Sequence, residues 1–147
     1  MSSVPELTIV IPTFNREDVL LNSIRDCLGQ IGATIEIMVV DQSPEHSKKF
    51  QTDLKKLLKD PRLTYYRASP ASVTAAKNFA LEHVSTELVI FIDDDVQIPK
   101  SFARNHLDSH AKHPDVSAIG GRVLQEGFPI LDEILHFDEY AVSKGVF

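Results

Sequence analysis

The sequence predicts an α/β fold, an open and mostly parallel sheet with helices on both faces. Three observations carry this prediction. Short, largely apolar runs recur along the chain, each of strand length. Segments with apolar residues at helical spacing separate them. The polar residues with chemical capacity fall directly after the apolar runs, not within them. Strands this apolar suit a sheet covered on both faces.

Leu7 to Ile11 reads as the first strand, with Pro12 expected to stop it. Asn15 is a plausible N-cap for a helix from about Arg16 to Leu28, with Glu17 and Asp18 in its first turn. Leu20, Ile24, Cys27, Leu28 and Ile31 form its apolar stripe. Ile35 to Val40 is the second strand, ending at Asp41. A second helix runs from about Ser47 to Leu58, and Asp60-Pro61 ends it. Leu63 to Tyr66 is a short strand. The next helix, about Val73 to His83, aligns Ala76, Phe79, Ala80 and His83. Leu88 to Ile92 is the most hydrophobic run and reads as a buried strand. Pro99 opens a helix over about Lys100 to Lys112, and Val116 to Val123 suggests a fifth strand broken by Gly120-Gly121. Ile130 to His136 gives a helical turn or two at most.

Composition narrows the function classes. At 147 residues the chain can form one domain with a real core. No apolar run approaches the roughly 20 residues that a membrane span needs, and Met1 to Glu6 lacks a basic leader. A cytoplasmic location is therefore the expectation. One cysteine excludes an internal disulfide and a cysteine-based zinc site. The net charge of −6 argues against nucleic acid as a partner.

Asp93, Asp94 and Asp95 directly follow the most apolar run. Three bare carboxylates cannot all be buried without partners. They meet water, a cation or a cationic ligand. Hard cations such as Mg²⁺ or Mn²⁺ take carboxylate oxygen and water, often shared with ligand phosphates. Two like charges 4 Å apart repel by about 4 kcal/mol at an effective dielectric of 20. A diphosphate beside this trio therefore needs a cation between. The competing reading is a solvated acidic turn that caps the next helix. In open α/β sheets ligands bind beyond the carboxyl ends of the strands, where strand order reverses. Thr13 to Arg16, Asp41 and the aspartate trio all fall at such ends.

The segment Ile9-Val10-Ile11-Pro12-Thr13-Phe14-Asn15-Arg16 resembles the opening of family 2 glycosyltransferases, with Phe14 in place of the commoner tyrosine. Val39-Val40-Asp41-Gln42-Ser43 is similar to that family's second strand and its following aspartate. Ala75-Ala76-Lys77-Asn78 resembles its Ala-Arg-Asn segment, with lysine for arginine. Phe91-Ile92-Asp93-Asp94-Asp95 resembles its Asp-x-Asp motif, with Ile98-Pro99 following. The four matches occur in order and cover about residues 6 to 123.

The resemblance implies a GT-A, Rossmann-like domain that binds a nucleotide-diphospho-sugar, a UDP-sugar favoured. It implies metal-assisted transfer with inversion to an unknown acceptor, a saccharide or lipid-linked saccharide. Pro12, Thr13, Phe14, Asn15 and Arg16 would line the nucleotide pocket. Asp41 would accept a hydrogen bond from the base, and Lys77 would face the base or diphosphate. Asp93 and Asp94 would lie near the ribose and metal-bound waters. Asp95, with Asp93, would hold Mn²⁺ or Mg²⁺. On this reading residues 1–123 are the nucleotide-sugar-binding domain. Residues 124–147 begin an acceptor-side region, and the domain is incomplete at its C-terminus, with the catalytic base expected beyond residue 147.

Two other classes stay open: a module that binds a nucleotide or nucleotide sugar without transfer, and a receiver-like signalling domain. The latter expects paired acids after the first strand, where this chain has Pro12-Thr13-Phe14. His106 and His110 have the spacing of a metal pair but lack a surrounding HExxH pattern. Asp138 and Glu139 are weak candidates for a base.

Overall fold

A computed structural model describes residues 4–121, 123, 124 and 127. The elements run β1 (Leu7–Thr13), α1 (Glu17–Leu28), β2 (Ile35–Asp41), α2 (Lys48–Leu57), β3 (Leu63–Arg67), α3 (Val73–His83), β4 (Leu88–Phe91) and α4 (Phe102–Lys112). The four strands form one parallel sheet in the order β3-β2-β1-β4. Residues up to Ser117 form one compact unit, and the chain from Ala118 belongs to a second. The sequence reading put its division after Val123.

Alternation along the strands sorts the core into two layers. Ile9 and Ile11 of β1, with Ile37 and Val39 of β2, pack against Leu20 and Ile24 of α1, Phe50 and Leu54 of α2, and Leu107 of α4. Val10, Met38 and Val40 point the other way, onto Ala76 and Ala80 of α3. The helices therefore cover both faces. The chain steps from β1 to β3 in one direction, then crosses back so that β4 lands on the far side of β1. That reversal places a topological switch point between β1 and β4.

Pro12 does not stop β1, which continues to Thr13. The Val10 carbonyl accepts from Ile92 on the β4 side, and the Thr13 carbonyl from Gln42 on the β2 side. Alternation then puts the Pro12 nitrogen on the β4 side, beyond the last β1–β4 pair, Val10 with Phe91. Its missing N–H costs no ladder bond there.

The run Leu88–Phe91 is half-buried along its length, not fully buried. Among the described residues β4 has a neighbour on one side only, so its place in the sheet limits its burial more than its composition does. The expected fifth strand is absent from the described part of residues 116–123. Val116 and Val123 are exposed, and an apolar run without a partner strand leaves its backbone groups to solvent. The segment Ile130 to His136 lies outside the described residues.

Cys27 is wholly buried on α1, and burial, aided by Asp26, pushes its thiol up to about 12. It is a core residue.

Candidate functional site

Thr13 ends β1 opposite Asp41 at the end of β2, and β4 delivers Asp93 to Asp95 on the other flank. A cleft of about 290 Å³ opens at this switch point, lined by Pro12, Thr13, Phe14, Arg16, Gln42, Val73 and the three aspartates. Parallel register brings residues 81 positions apart into contact. The Thr13 hydroxyl donates to Asp94 Oδ2 at 2.5 Å, inside the protein.

The aspartates are not equivalent. Asp94 is 8 % exposed, and one of its oxygens is taken by Thr13. Its carbonyl accepts from the Ser23 hydroxyl of α1 at 2.7 Å, which fixes the loop to the helix. Asp95 is half-exposed and pairs with Arg16 at 3.3 Å across the cleft. Asp93 is exposed. Among the described residues no group of three His, Cys, Asp or Glu side chains converges as a metal cage. A cation here would have one or two of these carboxylates at most and would need phosphate and water to complete its shell.

Phe14 and Val73 leave apolar surface on the cleft, 48 % and 62 % exposed. Between them Gln42 is held by the main chain of the segment before α3. Its Nε2 donates to the Pro70 carbonyl at 2.7 Å, and its Oε1 accepts from the Ser72 N–H at 2.9 Å. The sequence reading passed over Gln42 and Val73. Strand alternation carried the signal for Gln42, since an inward Asp41 puts its neighbour on the other side.

Asn15 is not the cap of α1. Arg16 takes that position, without a side-chain cap bond. Asn15 sits at φ 56°, in the left-handed region that asparagine tolerates better than most residues. Its N–H donates to Ser43 Oγ at 2.8 Å, tying the first loop to the second.

Asp41 is fully buried and does not line the cleft. Its Oδ1 accepts from the Ser43 N–H at 2.7 Å, and its Oδ2 accepts from the Tyr65 hydroxyl and faces His46 Nε2 at 2.5 Å. The other ring nitrogen of His46 lies 3.0 Å from Glu17 Oε1. His46 also stacks on Phe50, with centroids 4.3 Å apart. Glu17 in turn accepts from both the N–H and the hydroxyl of Ser47, the cap of α2. One chain of hydrogen bonds thus joins β2, β3, α1 and α2 beneath the cleft.

Burial by itself pushes the Asp41 carboxyl up, but the bonds from Ser43, Tyr65 and His46 outweigh it and hold the group below its ordinary 3.8. Ser47 holds Glu17 below its ordinary 4.5. With both lowered in the folded chain, the unfolded chain takes up protons first as pH falls. Their stabilisation is complete above the ordinary values and is lost as pH drops through the folded ones. Urea midpoints measured against pH are expected to be flat above about pH 5 and to fall below about pH 4. Glu17→Gln should flatten part of that fall.

Lys77 does not line the cleft. Its ammonium lies over the Phe91 ring, 5.4 Å from the centroid. His106 packs edge-on against Phe102, and burial followed by His110 lowers its pKa. Asp138 and Glu139 lie outside the described residues.

Residues 8–135 match the sequence family described as Glycosyl transferase family 2. A Campylobacter jejuni protein named GalNAc(5)-diNAcBac-PP-undecaprenol beta-1,3-glucosyltransferase is 33% identical over 101 residues, 65% of this chain and 31% of that protein. The putative colanic acid biosynthesis glycosyl transferase WcaA of Escherichia coli is 29% identical over 96 residues, 65% of this chain and 34% of its own length. The chain thus spans about a third of either relative. Among solved structures, the mannosyltransferase PcManGT from Pyrobaculum calidifontis, in complex with GDP-Man and Mn²⁺, superposes with a TM-score of 0.63 at 21% identity, over 75% of this chain and 33% of that one. Staphylococcus aureus TarS 1-349 in complex with UDP-GlcNAc gives 0.62 at 19% identity, over 82% and 37%. These likenesses show the fold, a GT-A sheet. Together with the match over residues 8–135, they mean that this chain belongs to glycosyl transferase family 2.

Proposed function

We propose that this chain forms the donor-binding half of an inverting glycosyltransferase that takes a nucleotide-diphospho-sugar, a UDP-sugar favoured. The observation that supports it most directly is the cleft in which Pro12, Thr13, Phe14 and Arg16 meet Asp93 to Asp95 at the switch point. Phe14 and Val73 offer apolar surface to a base, and Thr13 and Arg16 contact the acids, Asp94 and Asp95 respectively. PcManGT and TarS, which share the fold, are described with GDP-Man and with UDP-GlcNAc.

Asp95 and Asp93 would hold Mn²⁺ or Mg²⁺. Once bound, the metal supplies charge neutralisation for the departing diphosphate. All three acids line the cleft, but Thr13 takes one oxygen of the largely buried Asp94, which leaves Asp93 and Asp95 the more accessible. Arg16 offers a second positive charge at the same end. In the complete reaction an acceptor hydroxyl attacks the anomeric carbon on the face opposite the diphosphate, and a carboxylate base takes its proton. The acceptor is proposed to be a saccharide or lipid-linked saccharide, and no described residue is assigned as the base. Among the described residues no helix is long and apolar enough to cross a membrane.

Calorimetric titration with UDP, with and without Mn²⁺, tests this reading. UDP is expected to bind at least tenfold more tightly with the metal. Equal affinity in both titrations removes the metal from the proposal, and failure of both UDP and GDP to bind removes the donor site.

A further inference from the structure

Gln42 follows the last residue of β2 and lines the donor cleft, yet only 9 % of it is exposed. A buried amide costs stability unless its polar atoms find partners. Three hydrogen bonds hold this residue, and they run to two other segments of the chain. Its N–H donates to the Thr13 carbonyl at 3.0 Å. Its Nε2 donates to the Pro70 carbonyl at 2.7 Å, and its Oε1 accepts from the Ser72 N–H at 2.9 Å. A carbonyl only accepts and an N–H only donates, so these partners fix which way the amide is turned.

On each side, the bonds end one residue short of apolar surface. Thr13 precedes Phe14 and Ser72 precedes Val73, and both apolar side chains are exposed on the cleft. Ser72 is also the cap of α3, its hydroxyl accepting from the Ala75 N–H at 3.3 Å. Among the described residues, the Gln42 amide makes the only hydrogen bonds that tie residues 69–72 to the end of the sheet. The place of Val73 relative to Phe14 therefore depends on one side chain. Its length matters as much as its amide. Asparagine is one carbon–carbon bond shorter, about 1.5 Å, which takes both side-chain bonds out of range.

We infer that Gln42 is a positioning residue for the nucleobase: it sets the gap between Phe14 and Val73 in which the flat ring rests. This rests on the donor reading proposed above. Contact between carbon atoms is best at about 3.5–4.0 Å, and an added gap of about 1 Å forfeits much of it. A wall fixed before the ligand arrives also spares the cost of ordering it on binding.

Two variants test this. Gln42→Asn keeps the amide and loses the reach, and Gln42→Met keeps the length and loses both side-chain bonds. In the ligand-free chain the Ser72 amide should exchange with solvent about tenfold faster in either variant, because its acceptor is gone. Calorimetry should show UDP with Mg²⁺ bound about tenfold more weakly, and pyrophosphate with Mg²⁺ held within about twofold of the parent. A residue that serves stability alone would lower the urea midpoint and leave the ratio of the two affinities unchanged. The inference is overturned if Ser72 exchanges as slowly as in the parent, if UDP binds as tightly, or if pyrophosphate weakens as much as UDP. The first two results leave the donor site standing. A parent chain that binds pyrophosphate but not UDP removes the nucleotide from the donor reading and this inference with it.

Discussion

Asp41→Ala is expected to destabilise the chain by about 3 kcal/mol, from the loss of a buried acceptor that several groups share. The side chain has no exposure to water, and the Ser43 N–H, the Tyr65 hydroxyl and the His46 ring converge on it. Alanine leaves the Tyr65 hydroxyl and the Ser43 N–H without an acceptor, and unmade buried bonds cost about 1–3 kcal/mol each. It also strips His46 of one of its two carboxylates while the ring stays packed on Phe50. Urea unfolding followed by circular dichroism measures the loss. Tyr65→Phe removes one donor and keeps the acceptor, so it should cost only about 1 kcal/mol. A further variant, Asp41→Asn, separates support from recognition. If Asp41 accepts a bond from the base, Asp41→Asn should weaken UDP binding in molecules that are still folded. If it only anchors the second loop, UDP binding per folded molecule should hold while stability falls. A urea midpoint unchanged in Asp41→Ala would refute the buried network.

Asp95→Ala is expected to lower Mn²⁺-dependent UDP affinity by about 100-fold, about 2.7 kcal/mol. A divalent ion bound through one or two carboxylates loses much of its protein coordination when one is removed. The diphosphate then faces Asp93 and Asp94 without a cation between, at a repulsion of several kcal/mol for close charges. Two contrasts make the test specific. Without metal, the variant should bind UDP slightly better than the parent, because one negative charge has left the cleft and Arg16 has lost its partner. Its stability should change by less than about 1 kcal/mol, since half-exposed ion pairs contribute little. Titrations of parent and variant, with and without Mn²⁺, read both effects. Retained metal dependence at the parent's affinity would move the ligand role from Asp95 to Asp93.

The sequence by itself determined the class of fold, the parallel sheet and the convergence of three loops. Apolar runs of strand length followed by polar residues leave few other arrangements once right-handed crossovers are required. It also placed Pro12, Thr13, Phe14, Arg16 and the aspartates at strand ends, and all of them line one cleft. Only the tertiary structure decided how those residues differ. Linear order made Asp41 and Gln42 equal neighbours. The pleat turned one into the core, onto Tyr65 and His46, and the other onto the cleft. In the same way the resemblance gave Asp93, Asp94 and Asp95 different roles, and burial shows a physical difference between them, Asp94 alone being buried. The β1–β4 register carries Asp94 to Thr13 and leaves Asp95 in reach of Arg16. Hydrophobicity marked β4 as buried, but among the described residues the order of strands gives it one neighbour where β1 has two. These are contacts between residues tens of positions apart, so no local pattern encodes them. They follow from register and from which element packs beneath each loop.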